Sequence, residues 1–290
     1  MRKEVAREIS YASSAKSRGG RAMVRVLENA TGRIGLIRRA RGYEDEVAMG
    51  RDFWQVIVER YGLGLEITRG SLSSIPANGP LILVSNHPYG ILDGLMMGHI
   101  LSRLRVDFRI IAHKVFRKAG ALDRVILPID FDETKEATRQ NIEVRAEALR
   151  YLNGGGAIGI FPGGGVATAA RPFGRPMEPV WRNFTAKMIA KSGATVVPVF
   201  FEGQNSRLFQ VASHLHYTLR LGLLIKEFRA RIDAPVRIVV GEPIPRARLD
   251  AFGTDAKQMM EFLRRATYDL SPRPVPSYDY GLEFEEKYRA

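Results

Sequence analysis

From Leu65 onward, short aliphatic runs alternate with stretches of helical periodicity. "LEITR", "LILVS", "FRIIA", "RVILPIDF", "AIGIF", "TVVPVF" and "VRIVV" are bounded by turn residues and read as buried strands. Between them the spacing predicts helices near Asp93–Leu104, from Lys114, over Glu133–Leu152, near Trp181–Ser192, over Ser206–Ala230 and near Asp255–Leu270. Such alternation predicts an α/β domain with a largely parallel central sheet flanked by helices. Right-handed crossovers would bring the strand C-termini to one edge, beyond which ligands bind.

The pattern before Leu65 is different. "RAMVRVLENATGRIGLIRR" places Val24, Leu27, Ile34 and Ile37 at roughly helical spacing beside Arg21, Arg25, Arg38 and Arg39. This basic amphipathic helix suits either a membrane interface or the protein's own core. A second helix is predicted over Glu44–Tyr61, where "YGLG" stops it. Residues 1–20 are small and charged, and read as a poorly ordered arm. The expected organisation is a basic N-terminal helical extension over 1–62 and an α/β domain over 63–290.

Charge adds a constraint on partners. The 290 residues carry a net charge of +13, and residues 1–41 hold eleven basic side chains against three acidic ones. A basic arm suits an anionic bilayer, an acidic carrier protein or nucleic acid, and a solvated tail needs no partner at all. The absence of cysteine excludes disulfides, thiolate nucleophiles and cysteine metal sites. The N-terminus lacks the apolar core of a secretory signal. No apolar run reaches the roughly 18 residues of a spanning helix. A protein of this kind would meet a membrane by lying on it.

The candidate chemistry falls just after strands. "LILVS" delivers Asn86-His87, "FRIIA" delivers His113-Lys114, "AIGIF" delivers Pro162-Gly163-Gly164-Gly165, and "TVVPVF" leads to "FEGQNS" with Asn205. Loops at corresponding strand ends converge on one pocket. His87 and Asp93 are six apart, about 240° around a continuous helix. They can meet only if "PYG" between them is not helical, which Pro88 and a positive φ at Gly90 would allow. Asp93 then sits in the first turn of the next helix and can orient one imidazole nitrogen, leaving the other as a base. That is a base and its orienter without a protein nucleophile, so the substrate would supply its own hydroxyl. The alternative is a helix cap with His87 as a neighbouring turn residue.

Gly163–Gly165 leaves backbone N–H groups open to an oxyanion or phosphate. It is no P-loop, since no Gly-Lys-Ser/Thr follows. There is no G-x-S-x-G elbow, no dinucleotide fingerprint and no H-E-x-x-H spacing among the five histidines. Asp130 and Asp132 in "PIDFDE" read as a strand-end turn sooner than a metal site.

Taken in order, "SNHPYGILD", "IAHKVF", "RVILPIDF", "GIFPGGG" and "TVVPVFFEGQNS" resemble the blocks of the glycerolipid (lysophosphatidate-type) acyltransferase family, over roughly residues 65–242. The bacterial hemolysin-like lysophospholipid acyltransferase branch is the most similar, with its HP-x-G-x-x-D form. Two departures stand out. Five residues separate His87 from Asp93 where the usual motif has four, and Gly90 is the residue that can absorb the extra one. "FPGGG" replaces Phe-Pro-Glu-Gly, and Arg171, six residues after Gly165, is the candidate to stand in for the arginine that normally follows.

The resemblance implies an O-acyltransferase of membrane lipid biosynthesis, with His87 as general base and Asp93 as its orienter. Asn86, Gly90, Lys114, Pro162, Gly163, Gly164, Gly165, Arg171 and Asn205 would bind substrate or order the pocket. It implies an acyl-carrier-protein or acyl-CoA thioester as co-substrate, a lysolipid acceptor such as 1-acylglycerol-3-phosphate or a lyso-aminolipid, and neither cofactor nor metal. The place implied is peripheral, on an anionic surface at the cytoplasmic face of the inner membrane. A basic nucleic-acid-binding α/β protein is the rival from another class. It uses the charge, leaves the strand-end loops unexplained and has no recognised nucleic-acid motif.

Overall fold

The computed structural model describes residues 10–15, 17–113, 122, 124–129 and 134–284. The expected helix from Lys114, and both Asp130 and Asp132, lie outside them. The seven aliphatic runs form β1 (Gly64–Arg69), β2 (Leu81–Ser85), β3 (Phe108–His113), β4 (Ile126–Ile129), β5 (Ala157–Ile160), β8 (Thr195–Phe201) and β9 (Pro235–Val240). They make one sheet in the order β1-β9-β8-β2-β5-β3-β4. A two-stranded hairpin of β6 (Thr168–Ala169) and β7 (Pro176–Met177) stands apart.

Five strands, β8, β2, β5, β3 and β4, run parallel, as the aliphatic runs predict. β9 runs antiparallel to β8, and β1 parallel to β9. The reversal follows from the connection after β8, where two helices replace the single crossover helix. They are α8 (Arg207–Leu215) and α9 (Tyr217–Arg229). An even number of passes returns the chain to the sheet edge it left, so the next strand must run back.

Burial on both faces explains the continuous apolar strands. In β2, Leu81 and Leu83 face one core, and Ile82 and Val84 face the other. The first core is closed by α5 (Ile91–Leu104) together with α2 (Arg33–Ala40) and α4 (Phe53–Arg60). The second lies under α6 (Lys135–Asn153), α7 (Phe184–Ser192) and α11 (Ala256–Tyr268); the short α10 spans Arg246–Asp250. Leu36, Ala40, Tyr43, Trp54 and Ile57 therefore share a core with the central strands.

The N-terminal helices are shorter than their periodicity predicts. The Arg21–Arg39 pattern divides at Gly32 into α1 (Arg18–Thr31) and α2, and Glu44–Tyr61 divides into α3 (Tyr43–Ala48) and α4. The second break has a local cause: Asp52 accepts the Gln55 N–H at 2.9 Å and starts a new helix as its N-cap. His216 does the same for α9, its Nδ1 accepting the Thr218 N–H at 3.0 Å. The arm also departs from expectation over Ser10–Ala15, which includes a 3-10 turn at Ala12–Ser14. The buried carboxylate of Glu28 clips it to α1, accepting from the Ser10 hydroxyl and the Tyr11 N–H, each at 2.6 Å.

Candidate active site

His87 leaves the C-terminal end of β2, and the chain turns back at Gly90, which takes φ 96° and becomes the N-cap of α5. Asp93 occupies the third position of that helix and is wholly buried. Its Oδ2 accepts the Gly90 N–H at 2.9 Å, closing a capping box on the N-cap, and the Tyr89 N–H of the preceding turn at 2.7 Å. The same oxygen lies 3.0 Å from His87 Nδ1. The approach is of ion-pair length but oblique, so Nδ1 has no straight hydrogen bond among the described residues. Nε2 is the nitrogen left for the cavity that His87 lines. The extra residue of the motif is thus taken up in a non-helical turn at Gly90.

Two neighbours hold this turn. The His87 imidazole stacks on Phe161, with ring centroids 4.2 Å apart and planes 23° from parallel. The His87 carbonyl accepts the Ala167 N–H at 2.8 Å. Asn86 bridges to β8, donating to the Phe201 carbonyl at 2.9 Å and accepting the Phe201 N–H at 2.7 Å. Its side chain continues the strand pairing beyond β2 and orders the base of the turn. Asn205 is buried and donates to the Tyr89 carbonyl at 3.5 Å, so it also supports the turn from behind.

A cavity of about 380 Å³ opens at His87, within the usual range for small-molecule sites. One wall comes from the N-terminal helices and α5: Tyr43, Phe53, Trp54, Ile57, Tyr61 and Leu95. It is almost wholly apolar and of a kind that accepts a hydrocarbon chain. The lining also includes Pro162, Gly164, Gly165, Arg145, Arg182 and Arg220. Gly164 N–H is used in a turn to the Phe161 carbonyl at 3.0 Å. Gly163 faces away from the cavity, against Glu178.

Arg171 is exposed in the connection between β6 and β7 and does not line the cavity. Lys114 lies outside the described residues. The cations that do line it were not marked by any local pattern. Arg182 follows Trp181, its N–H donating to the Pro162 carbonyl at 2.9 Å and its guanidinium pairing with Glu283 at 2.9 Å. Arg220 is buried in α9 and donates to the Val166 carbonyl at 2.9 Å and the Ser213 hydroxyl at 3.2 Å. Burial lowers its pKa to about 10, which still leaves it charged at neutral pH. Tyr11 lines the cavity too, and burial, with Glu28 next to it, pushes its phenol up. The described residues hold no cluster of three or more His, Asp or Glu side chains suited to a metal ion.

A buried carboxylate thus lies against a histidine that lines a largely apolar cavity, with Arg145, Arg182 and Arg220 also in its lining. Residues 30–273 match the model of the family described as Acyltransferase, and the chain belongs to that family: it is an enzyme that transfers acyl groups. The resemblance carried by the ordered strand-end blocks is borne out. A lyso-glycine lipid O-acyltransferase of Phocaeicola vulgatus is 25% identical over 229 residues, covering 77% of this chain and 78% of the relative. One of the same name from Bacteroides thetaiotaomicron is 24% identical over 244 residues, covering 78% and 82%. The crystal structure of the 1-acyl-sn-glycerophosphate (LPA) acyltransferase PlsC from Thermotoga maritima matches with a TM-score of 0.50. It covers 88% of this chain and 97% of its own at 15% identity, a likeness of fold.

Proposed function

We propose that the protein moves a fatty acyl group from a thioester donor to the free hydroxyl of a lyso-aminolipid whose head group carries a carboxylate. The observation that carries this reading is the His87–Asp93 contact at the mouth of an apolar cavity. His87 Nε2 takes the proton of the acceptor hydroxyl as its oxygen attacks the thioester carbonyl. The tetrahedral oxyanion is met by the open amide side of the glycine loop at Gly165. Collapse breaks the carbon–sulfur bond, and the departing thiolate takes the proton back from the imidazolium. Asp93 holds the imidazole in the tautomer with Nδ1 protonated and stabilises the charged form between the two steps. Arg182 and Arg220 supply positive charge for the head group.

The relatives named for a lyso-glycine lipid favour a carboxylate head group. Lysophosphatidate is the second reading, favoured by the same two arginines, since a phosphate also suits them. The enzyme works from the bilayer surface in this account. Among the described residues no helix is long and apolar enough to cross a membrane. Met23, Val26 and Ile34 are exposed on α1 and α2 among basic residues, an arrangement suited to an anionic interface.

The test crosses acyl carrier protein and acyl-CoA thioesters with hydroxylated N-acylglycine, lyso-ornithine lipid and lysophosphatidate. Turnover is expected with one of the two amino-acid acceptors, and at least about tenfold lower kcat/KM with lysophosphatidate. Preference for lysophosphatidate overturns the carboxylate assignment. No transfer to any acceptor from either donor overturns the lysolipid reading as a whole.

A further inference from the structure

Gly163 occupies the position where the third block of the resembling family carries glutamate. Its φ is not in the left-handed region that calls for glycine. What works against a side chain there is crowding. A Cβ on Gly163 would lie 3.1 Å from Glu178 Cβ and 3.2 Å from Glu178 Oε1. Glu178 is wholly buried, one residue after β7. Its Oε2 accepts from Trp181 Nε1 at 3.0 Å and from the Tyr268 hydroxyl at 3.2 Å. Its Oε1, the atom against Gly163, has no hydrogen-bond partner among the described residues. A buried carboxyl side chain from fifteen positions later in the sequence therefore stands in the space that a side chain at 163 would enter.

We propose that Glu178 is a positioning residue that supplies, from another segment, the carboxyl group missing at Gly163, and so holds the Phe161–Gly165 loop against His87. The loop's two ends show what is being held. Phe161 stacks on the catalytic imidazole, and Gly165 lines the cavity. The same segment carries Arg182, whose N–H is bonded to the loop at Pro162. One side chain thereby sets both the ring stacked on His87 and the segment that carries Arg182 into the cavity lining. Burial raises the Glu178 carboxyl to about 8, so it enters this contact as a neutral acid at physiological pH. Arg264 lies close enough to oppose that shift, and Asp93 reinforces it.

The inference rests on His87 being the base, and a transposition experiment separates the two. Glu178→Ala is expected to lower kcat at least about tenfold, since misplacing a reacting group by 1 Å can cost about a hundredfold. KM for the thioester donor should change little, and the acid limb of the rate–pH profile should move. Gly163→Glu alone is expected to lose activity as well, because two carboxyl groups would share one space. The double variant Gly163→Glu/Glu178→Ala is expected to recover at least about tenfold over Glu178→Ala and to return the acid limb to its wild-type place. Glu178→Gln, a neutral isostere of the acid, should keep kcat within about threefold.

A double variant no better than the worse single one overturns the proposal, as does a Glu178→Ala enzyme with wild-type kcat. Should Glu178→Ala fail to fold, the double variant decides alone: folded and active supports the transposition, and unfolded or inactive overturns it. His87→Ala belongs in the same series. If it keeps full activity, the catalytic reading has failed. If it is dead and the transposition still gives no recovery, only the positioning role has failed.

Discussion

Two loops meet where His87 stacks on Phe161, and they are built in opposite ways. The His87–Asp93 turn is local: the proposed base, hinge and orienter lie within seven consecutive residues, and Asp93 secures the turn through the N–H groups of Tyr89 and Gly90. The Phe161–Gly165 loop has no side-chain hydrogen bonding of its own at its glycines. It rests on Glu178, which is itself tied to Trp181 and Tyr268. The first loop carries the proposed base, and the second carries the ring on which that imidazole stacks. A local device should fail through single residues of its own. A propped one should fail through residues distant in sequence.

The sharpest way to break that comparison is at the base. His87→Ala should lower kcat about 10²- to 10⁴-fold with little change in thermal stability, the range for loss of a general base. Asp93→Asn comes next, at about a hundredfold or more in kcat, because the amide favours the wrong tautomer. It should also lower the melting temperature, since the buried carboxylate that accepts two backbone N–H groups is lost. Gly90→Val should follow at about tenfold in kcat. A β-branched residue at φ 96° is strained by about 1–3 kcal/mol, and its Cβ would meet Val166 at 3.1 Å. Normal turnover in that variant would rule out the hinge.

A pH effect tests the propped loop. The Glu178 carboxyl titrates at about 8 in the folded protein against 4.5 when free of the fold. Its contribution to stability is complete below 4.5, and is lost as pH rises through the folded value of about 8. Melting temperatures taken across that window should fall more steeply for wild type than for Glu178→Gln, and equal slopes would contradict the buried acid. The smallest effect belongs to Arg171→Ala. Exposed between β6 and β7, it should leave kcat/KM within about twofold. A large loss would mean that the hairpin closes over the substrate.

The same contrast governs what the sequence discloses. The five parallel strands were legible because burial on both faces makes them continuous aliphatic runs. The turn at Gly90 was legible because Pro88 and Gly90 leave the chain few other choices. The reversal at β9 was not, since two short helices and one long helix share a periodicity and differ only at the His216 cap. Arg220 sits in "TLRLGLLIKEF", where nothing local tells an inward cation from an outward one. Glu178 in "PMEPVW" gains its place only when the second core closes around Trp181. The missing carboxylate at Gly163 was visible in the sequence, but the residue filling its space was not.

In the proposed mechanism Asp93 fixes His87 with Nδ1 protonated and Nε2 free to act as the base. Heteronuclear NMR of the imidazole nitrogens, at a pH where His87 is neutral, reads this directly when wild type is set beside Asp93→Asn. A protonated Nδ1 and a bare Nε2 are expected in wild type, and a mixed or reversed tautomer in the variant. A wild-type His87 carrying its proton on Nε2 would contradict it.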